Sequence, residues 1–161
     1  MIVVSNTSPI TNLAVIGQLD MLRRLYGVLY IPEAVFHELR TGEHRGDHLP
    51  FLNTTDWIMV RSVPSEALLS LAPYRLDRGE AEAIALAQLM QADLLLMDER
   101  VGRRCASERN LRVVGVLGTL VAAKQHGIIL ALRPLIEQLR QRAGFYVSEP
   151  LVAEVLRRAG E

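Results

Sequence analysis

Cysteine is almost missing from this chain. Cys105 is the single one in 161 residues, so no internal disulfide can form and a reducing compartment fits. It reads as a small core residue rather than a nucleophile. Aromatic residues make up only 5%, while Ala, Leu and Val dominate, which argues against a β-sandwich core and for an α/β or all-α one. Lysine is nearly absent as well: Lys124 is the only one, and arginine carries the rest of the basic charge. Lys plus Arg and Asp plus Glu balance at 18 each, so there is no global positive field, and any nucleic-acid contact must come from a local patch. No long hydrophobic run exists. The longest, residues 113–123, contains Thr119 and two glycines and is too short to span a bilayer. The N-terminus lacks the basic stretch of a signal peptide. These absences lead to the expectation of a soluble, cytoplasmic protein without a membrane partner.

What is present is an alternation of short apolar runs and amphipathic stretches. The length suits one domain over residues 1–161, with a helical C-terminal portion over 128–158. Ile2-Val3-Val4 and Leu94-Leu95-Leu96-Met97 are apolar runs bounded by turn residues, the pattern of strands buried on both faces. Further strands are expected at residues 28–31, 57–60 (an edge strand) and 111–114. Helices are expected at residues 9–16, with Ser8 as N-cap, and at 19–27, 33–40, 65–71, 79–90, 100–108 and 117–124. Residues 41–48 read as an exposed polar loop. The alternation implies a parallel sheet covered by helices on both sides.

In such a sheet ligands bind beyond the carboxyl ends of the strands. Asp98 ends one apolar run, and Ser5-Asn6-Thr7-Ser8 ends the other. Glu38 lies at the edge of the buried stripe of its helix, three residues after Val35. Its plain alternative is an arginine salt bridge. Asp77-Arg78-Gly79-Glu80 has capping-box spacing, so Glu80 taken alone is more a cap than a ligand. Glu82 points away and is expected in solvent, while Ala81, Ile84, Ala85 and Leu89 form the apolar face. No single acid decides the matter. Gathered together, Glu38, Glu80, Asp98 and Asn6 would repel one another unless a cation neutralised them, and oxygen ligands of this kind select Mg²⁺ or Mn²⁺. Arg100, Arg103 and Arg104 share a helix face, fit either for phosphate contacts or for ordinary solvation. His37, His44, His48 and His126 show no metal spacing. There is no dinucleotide fingerprint, Walker lysine or nucleophile elbow.

An ordered series of motifs resembles the PIN domain, in the branch similar to VapC-type toxins of toxin–antitoxin pairs. The matching stretches are Val3-Val4-Ser5-Asn6-Thr7-Ser8-Pro9-Ile10, Ile31-Pro32-Glu33-Ala34-Val35-Phe36-His37-Glu38-Leu39, Leu76-Asp77-Arg78-Gly79-Glu80-Ala81-Glu82-Ala83-Ile84, Leu95-Leu96-Met97-Asp98-Glu99 and Gly102-Arg103-Arg104, followed by Val113-Val114-Gly115-Val116-Leu117-Gly118. The resemblance implies a three-layer α/β/α fold with a central parallel sheet of about five strands. It implies a metal-dependent ribonuclease, a hydrolase of phosphodiester bonds cutting single-stranded RNA. The metal, Mg²⁺ or Mn²⁺, would be held by Asn6, Glu38, Glu80 and Asp98, the three acids being catalytic. Ser8, Arg100, Arg103 and Arg104 are the expected substrate contacts. A homodimer and a small antitoxin partner are implied too. Asn6 departs from the family's Asp: its amide oxygen can coordinate but brings no charge, so metal affinity should fall. Arg100 stands where many relatives carry another acid; Glu99 is a candidate substitute, though it would face differently. The alternative is a catalytically weak or inactive PIN-like protein acting through RNA or protein binding.

Overall fold

The computed structural model describes residues 1–42 and 55–161. Among these, five strands form one parallel sheet: β1 (Val3–Ser5), β2 (Leu29–Pro32), β3 (Ile58–Arg61), β4 (Leu94–Leu96) and β5 (Val113–Val114), in the order β3-β2-β1-β4-β5. Val4 pairs with Tyr30 on one side and Leu95 on the other, so β1 is central. The two-residue period of a strand sends neighbouring side chains to opposite faces. Val3, Leu94 and Leu96 join one core, and Val4, Leu95 and Met97 join the other.

The first core is closed by α1 (Thr7–Val15), α2 (Asp20–Tyr26), α3 (Glu33–Thr41), α6 (Val116–Gln125), α7 (Arg133–Arg142) and α8 (Glu149–Arg158). The second is closed by α4 (Arg78–Leu89), α5 (Arg100–Glu108) and a 3₁₀ helix, Ser65–Tyr74. The result is the three-layer α/β/α arrangement expected. Pro134 and Pro150 sit in the first turns of α7 and α8, where a missing N–H is harmless. Cys105 is fully buried, as a small core residue should be. Among the described residues, no helix is long and apolar enough to cross a membrane.

The order of strands positions the site. The chain builds outward from β1 to β2 and β3, then returns to lay β4 and β5 on the other side. The sheet therefore reverses its winding between β1 and β4, and the helices following those strands part there to leave a crevice.

Several local expectations are corrected. Helix α1 begins at Thr7 with Asn6 at the N-cap position, not at Ser8, and the Asn6 side chain makes no capping bond. Residues 65–71 fold as part of the longer 3₁₀ helix, not an α-helix. Pro73 lacks an amide to donate, and Arg75 ends the segment at φ 54°. On α4 Ile84 and Ala85 are buried as expected, but Leu89 is 55% exposed and Glu82 only 5%. The helix is flanked by α3, α5 and the 3₁₀ helix as well as by the sheet, so burial runs from Glu82 to Ala87. Glu82 tolerates this because it accepts from Arg78 Nε and from the Ala34 N–H at 3.2 Å, near the start of α3. The loop reading of residues 41–48, with His44 and His48, falls largely outside the described residues.

Glu82 thus ties α4 to α3, which carries Glu38. Glu82→Ala leaves the Ala34 N–H without its acceptor and should lower stability by about 1–3 kcal/mol. Urea denaturation measures this, and a loss near zero would show that water replaces the carboxylate.

Candidate active site

Two backbone bonds carry the sheet past its last ladder residues. Asn6 N–H donates to Leu96 C=O and Met97 N–H to Val114 C=O, both at 3.0 Å. Asn6 and Asp98-Glu99 therefore leave adjacent strands side by side at the winding reversal. With no capping bond to make, the buried Asn6 amide reaches across: Nδ2 donates to Glu99 Oε2 at 2.9 Å. Ser8, in the first turn of α1, donates its hydroxyl to the other oxygen of Glu99.

Asp98 turns toward the start of α6. Both its oxygens accept from the Val116 N–H, at 3.1 and 3.3 Å. This approach needs Gly115: a Cβ there would lie 2.5 Å from Asp98 Oδ1 and 2.8 Å from Arg103 Nη1. Arg103 also donates to Met97 C=O at 3.1 Å, so its guanidinium stands beside Asp98. A second glycine does the same at α4. A Cβ on Gly79 would lie 2.6 Å from Glu38 Oε1, and Glu38 also takes the Thr7 hydroxyl. Glu38 thus meets the first turn of α4, the turn that carries Glu80. That turn is capped by Asp77, whose Oδ1 accepts from Glu80 N–H at 2.8 Å.

The electrostatics bind these pieces together. Burial pushes the Glu80 carboxyl up to about 7, and the charges of Asp77 and Glu99 add to the rise. Burial pushes Asp98 up to about 6; Val116 N–H and Arg103 oppose the rise, and Glu99 adds to it. Glu99 is the common neighbour of Glu80 and Asp98 and the hydrogen-bond partner of Asn6 and Ser8. The sequence offered it only as a substitute acid that would face differently. Strand alternation would turn it away from Asp98, but β4 ends at Leu96, so alternation no longer applies.

Among the described residues, no group of three or more His, Cys, Asp or Glu side chains is close enough to hold a metal ion. The donor chemistry nevertheless fits a hard divalent cation: Glu80, Asp98 and Glu99 offer carboxylate oxygens, and Asn6 keeps its amide oxygen. Two carboxyls raised by burial and a shared anionic neighbour both favour positive charge beside them, whether proton or cation.

The arginines divide. Arg103 stays at Asp98, Arg104 pairs with Glu108 at 3.2 Å, and Arg100 is exposed at the start of α5. His126 is exposed, its ring against Ala122 C=O. Phe145 and Tyr146, from the turn between α7 and α8, wall the crevice beside Asp98 and Glu99. No sequence spacing pointed to them.

The raised carboxyls set a pH dependence. Glu80 moves from 4.5 to about 7 and Asp98 from 3.8 to about 6, so the folded protein binds these protons more tightly than the unfolded chain. Stability falls as pH rises through that window and levels off above it. In chelator, Glu80→Gln should flatten the fall, matching the parent near pH 4 and melting higher near pH 8. Thermal melts across pH test this; a variant that parallels the parent throughout would place Glu80 in ordinary solvent.

No curated protein matches the chain. A family profile does match, across residues 2–161: DUF3368, a PIN domain. PIN domains are generally nucleases that use divalent metals, and the five-stranded parallel sheet with an acidic crevice at its winding reversal is consistent with that fold. The chain belongs to the PIN-domain family.

Proposed function

We propose that this protein is a Mg²⁺- or Mn²⁺-dependent endoribonuclease acting on single-stranded RNA. The observation that carries the reading is the convergence on Glu99. Asn6, Ser8, Glu80 and Asp98, from three distant stretches of chain, each bond to it or feel its charge at the sheet's winding reversal. Asn6, Glu80, Asp98 and Glu99 would hold the cation, with Glu38 supporting the first turn of α4. A bound divalent ion supplies Lewis acidity toward a phosphate oxygen and lowers the pKa of water. The chain's own groups do the rest. A carboxylate oxygen of Glu80 or Asp98 orients the attacking water and accepts its proton. Arg103, beside Asp98, offers positive charge to the phosphate. Arg100 and the free surface of α5 extend that charge along the strand being cut.

A toxin role, a small antitoxin, a homodimer and a cytoplasmic location accompany this reading as its biological context. A second reading, RNA binding without cleavage, draws on one feature: position 6 is an amide, and Asp98 is already engaged by the Val116 N–H.

With Mn²⁺ the purified protein should cleave unstructured RNA, and Glu80→Gln or Asp98→Asn should lower kcat at least ~100-fold. Asn6→Asp should bind Mn²⁺ more tightly by calorimetry. Intact RNA in both parent and Asn6→Asp reactions would sink the catalytic reading and leave the binding one.

A further inference from the structure

Tyr146 is 88% exposed in a chain that is only 5% aromatic. A single exposed ring is unremarkable; its place is not. Two cavities, of about 430 and 310 Å³, border Asp98, and Phe145 and Tyr146 wall both. The smaller also takes in Ser8 and Glu99, and the larger takes in Arg103 and Arg158.

The turn bearing the ring is pinned. Gly144 reverses the chain at φ +63°, and Phe145 N–H donates to Leu139 C=O at 3.0 Å. Arg140 Nη2 lies 2.8 Å from Val147 C=O and 2.9 Å from Glu149 Oε1, and Val147 itself is buried. Ser148 caps α8. The ring is thus presented from a fixed backbone, which limits the entropy lost when something lies against it.

We infer that Tyr146 is a stacking platform for one unpaired nucleobase beside the acidic crevice, with Arg103 and Arg158 on the same cavity wall for the adjoining phosphates. The inference rests on the nuclease reading for the identity of the ligand. An acidic site repels a polyanion, so affinity has to come from outside the carboxylates. A π-face and guanidinium groups supply it without regard to sequence. Stacking of this kind selects single strands, because a duplex keeps its bases stacked on one another.

The test is fluorescence anisotropy with a labelled single-stranded RNA, Ca²⁺ replacing Mn²⁺ so that the strand stays whole. Tyr146→Ala should weaken binding about ten-fold, while Tyr146→Phe and Tyr146→Trp keep parental affinity. An abasic substitution walked along the strand should weaken the parent at one position and leave Tyr146→Ala unaffected there. Equal affinity of parent and Tyr146→Ala overturns the inference, as does a parent that binds no RNA. It is also overturned if Tyr146→Ala leaves RNA binding intact yet dissociates a dimer in sedimentation, which would assign the ring to a protein contact. A protein that cleaves nothing with Mn²⁺ but binds RNA through Tyr146 keeps the inference and removes the nuclease reading instead.

Discussion

Like-charge repulsion at the winding reversal is the constraint around which this molecule is built. Glu80 and Asp98 are each brought within electrostatic reach of Glu99, partly out of water, where anions are least comfortable. Nothing in packing alone calls for this. The fold opposes the repulsion piecemeal. The start of α6 meets Asp98, and Asn6 and Ser8 hold Glu99; Asp77, which caps the helix that presents Glu80, adds its own negative charge there. A helix N-terminus carries partial positive charge and unpaired N–H groups, so it is the backbone's own means of holding an anion. Arg103 adds a full charge at Asp98. Burial is the larger cause of the rise of both carboxyls, and the anionic neighbours add to it.

The two glycines belong to the same constraint. Gly79 and Gly115 lie in or just before the first turns of α4 and α6, and at each a Cβ would run into a carboxylate oxygen. Neither is needed for a turn with positive φ. Each lets a side chain from another segment come up against a helix start, which is how Glu38 and Asp98 reach their places. Glu82 works one layer back, bonding α4 to the beginning of α3 from a buried position. Site and scaffold are therefore linked through acids that differ only in what each one faces.

The sheet was legible in the sequence because its signal is local. Buried parallel strands are short apolar runs, and the chain marks their ends with Ser5-Asn6 and Asp98. Several helix boundaries were legible, as for 33–40 against Glu33–Thr41 and 100–108 against Arg100–Glu108. The misreadings share one cause, which is that tertiary neighbours decide what periodicity cannot. Leu89 and Glu82 exchanged expected environments because α4 is covered on more than one side. Ser8 lost its cap role because Asn6 began the helix early and Ser8 had a carboxylate to meet. Glu99 was expected to face away from the other acids, but β4 ends at Leu96 and the chain beyond it is free to turn the side chain toward Asn6 and Ser8. Tyr146 was invisible because a turn between two helices has no spacing rule linking it to a crevice formed many residues earlier.

The amide at position 6 changes meaning once Glu99 is placed opposite it. In the family pattern an Asp stands there, and an Asp facing Glu99 would set two carboxylates oxygen to oxygen, tolerable only with a proton or a cation between them. Asn6 turns that contact into an ordinary N–H···O bond of 2.9 Å. The chain thereby gives up one negative charge and gains a site that is less dependent on a cation for its integrity. Glu99, just past the end of β4, supplies a carboxylate to the crevice opposite that amide. This leaves Glu99, rather than residue 6, as the anion on which the crevice turns.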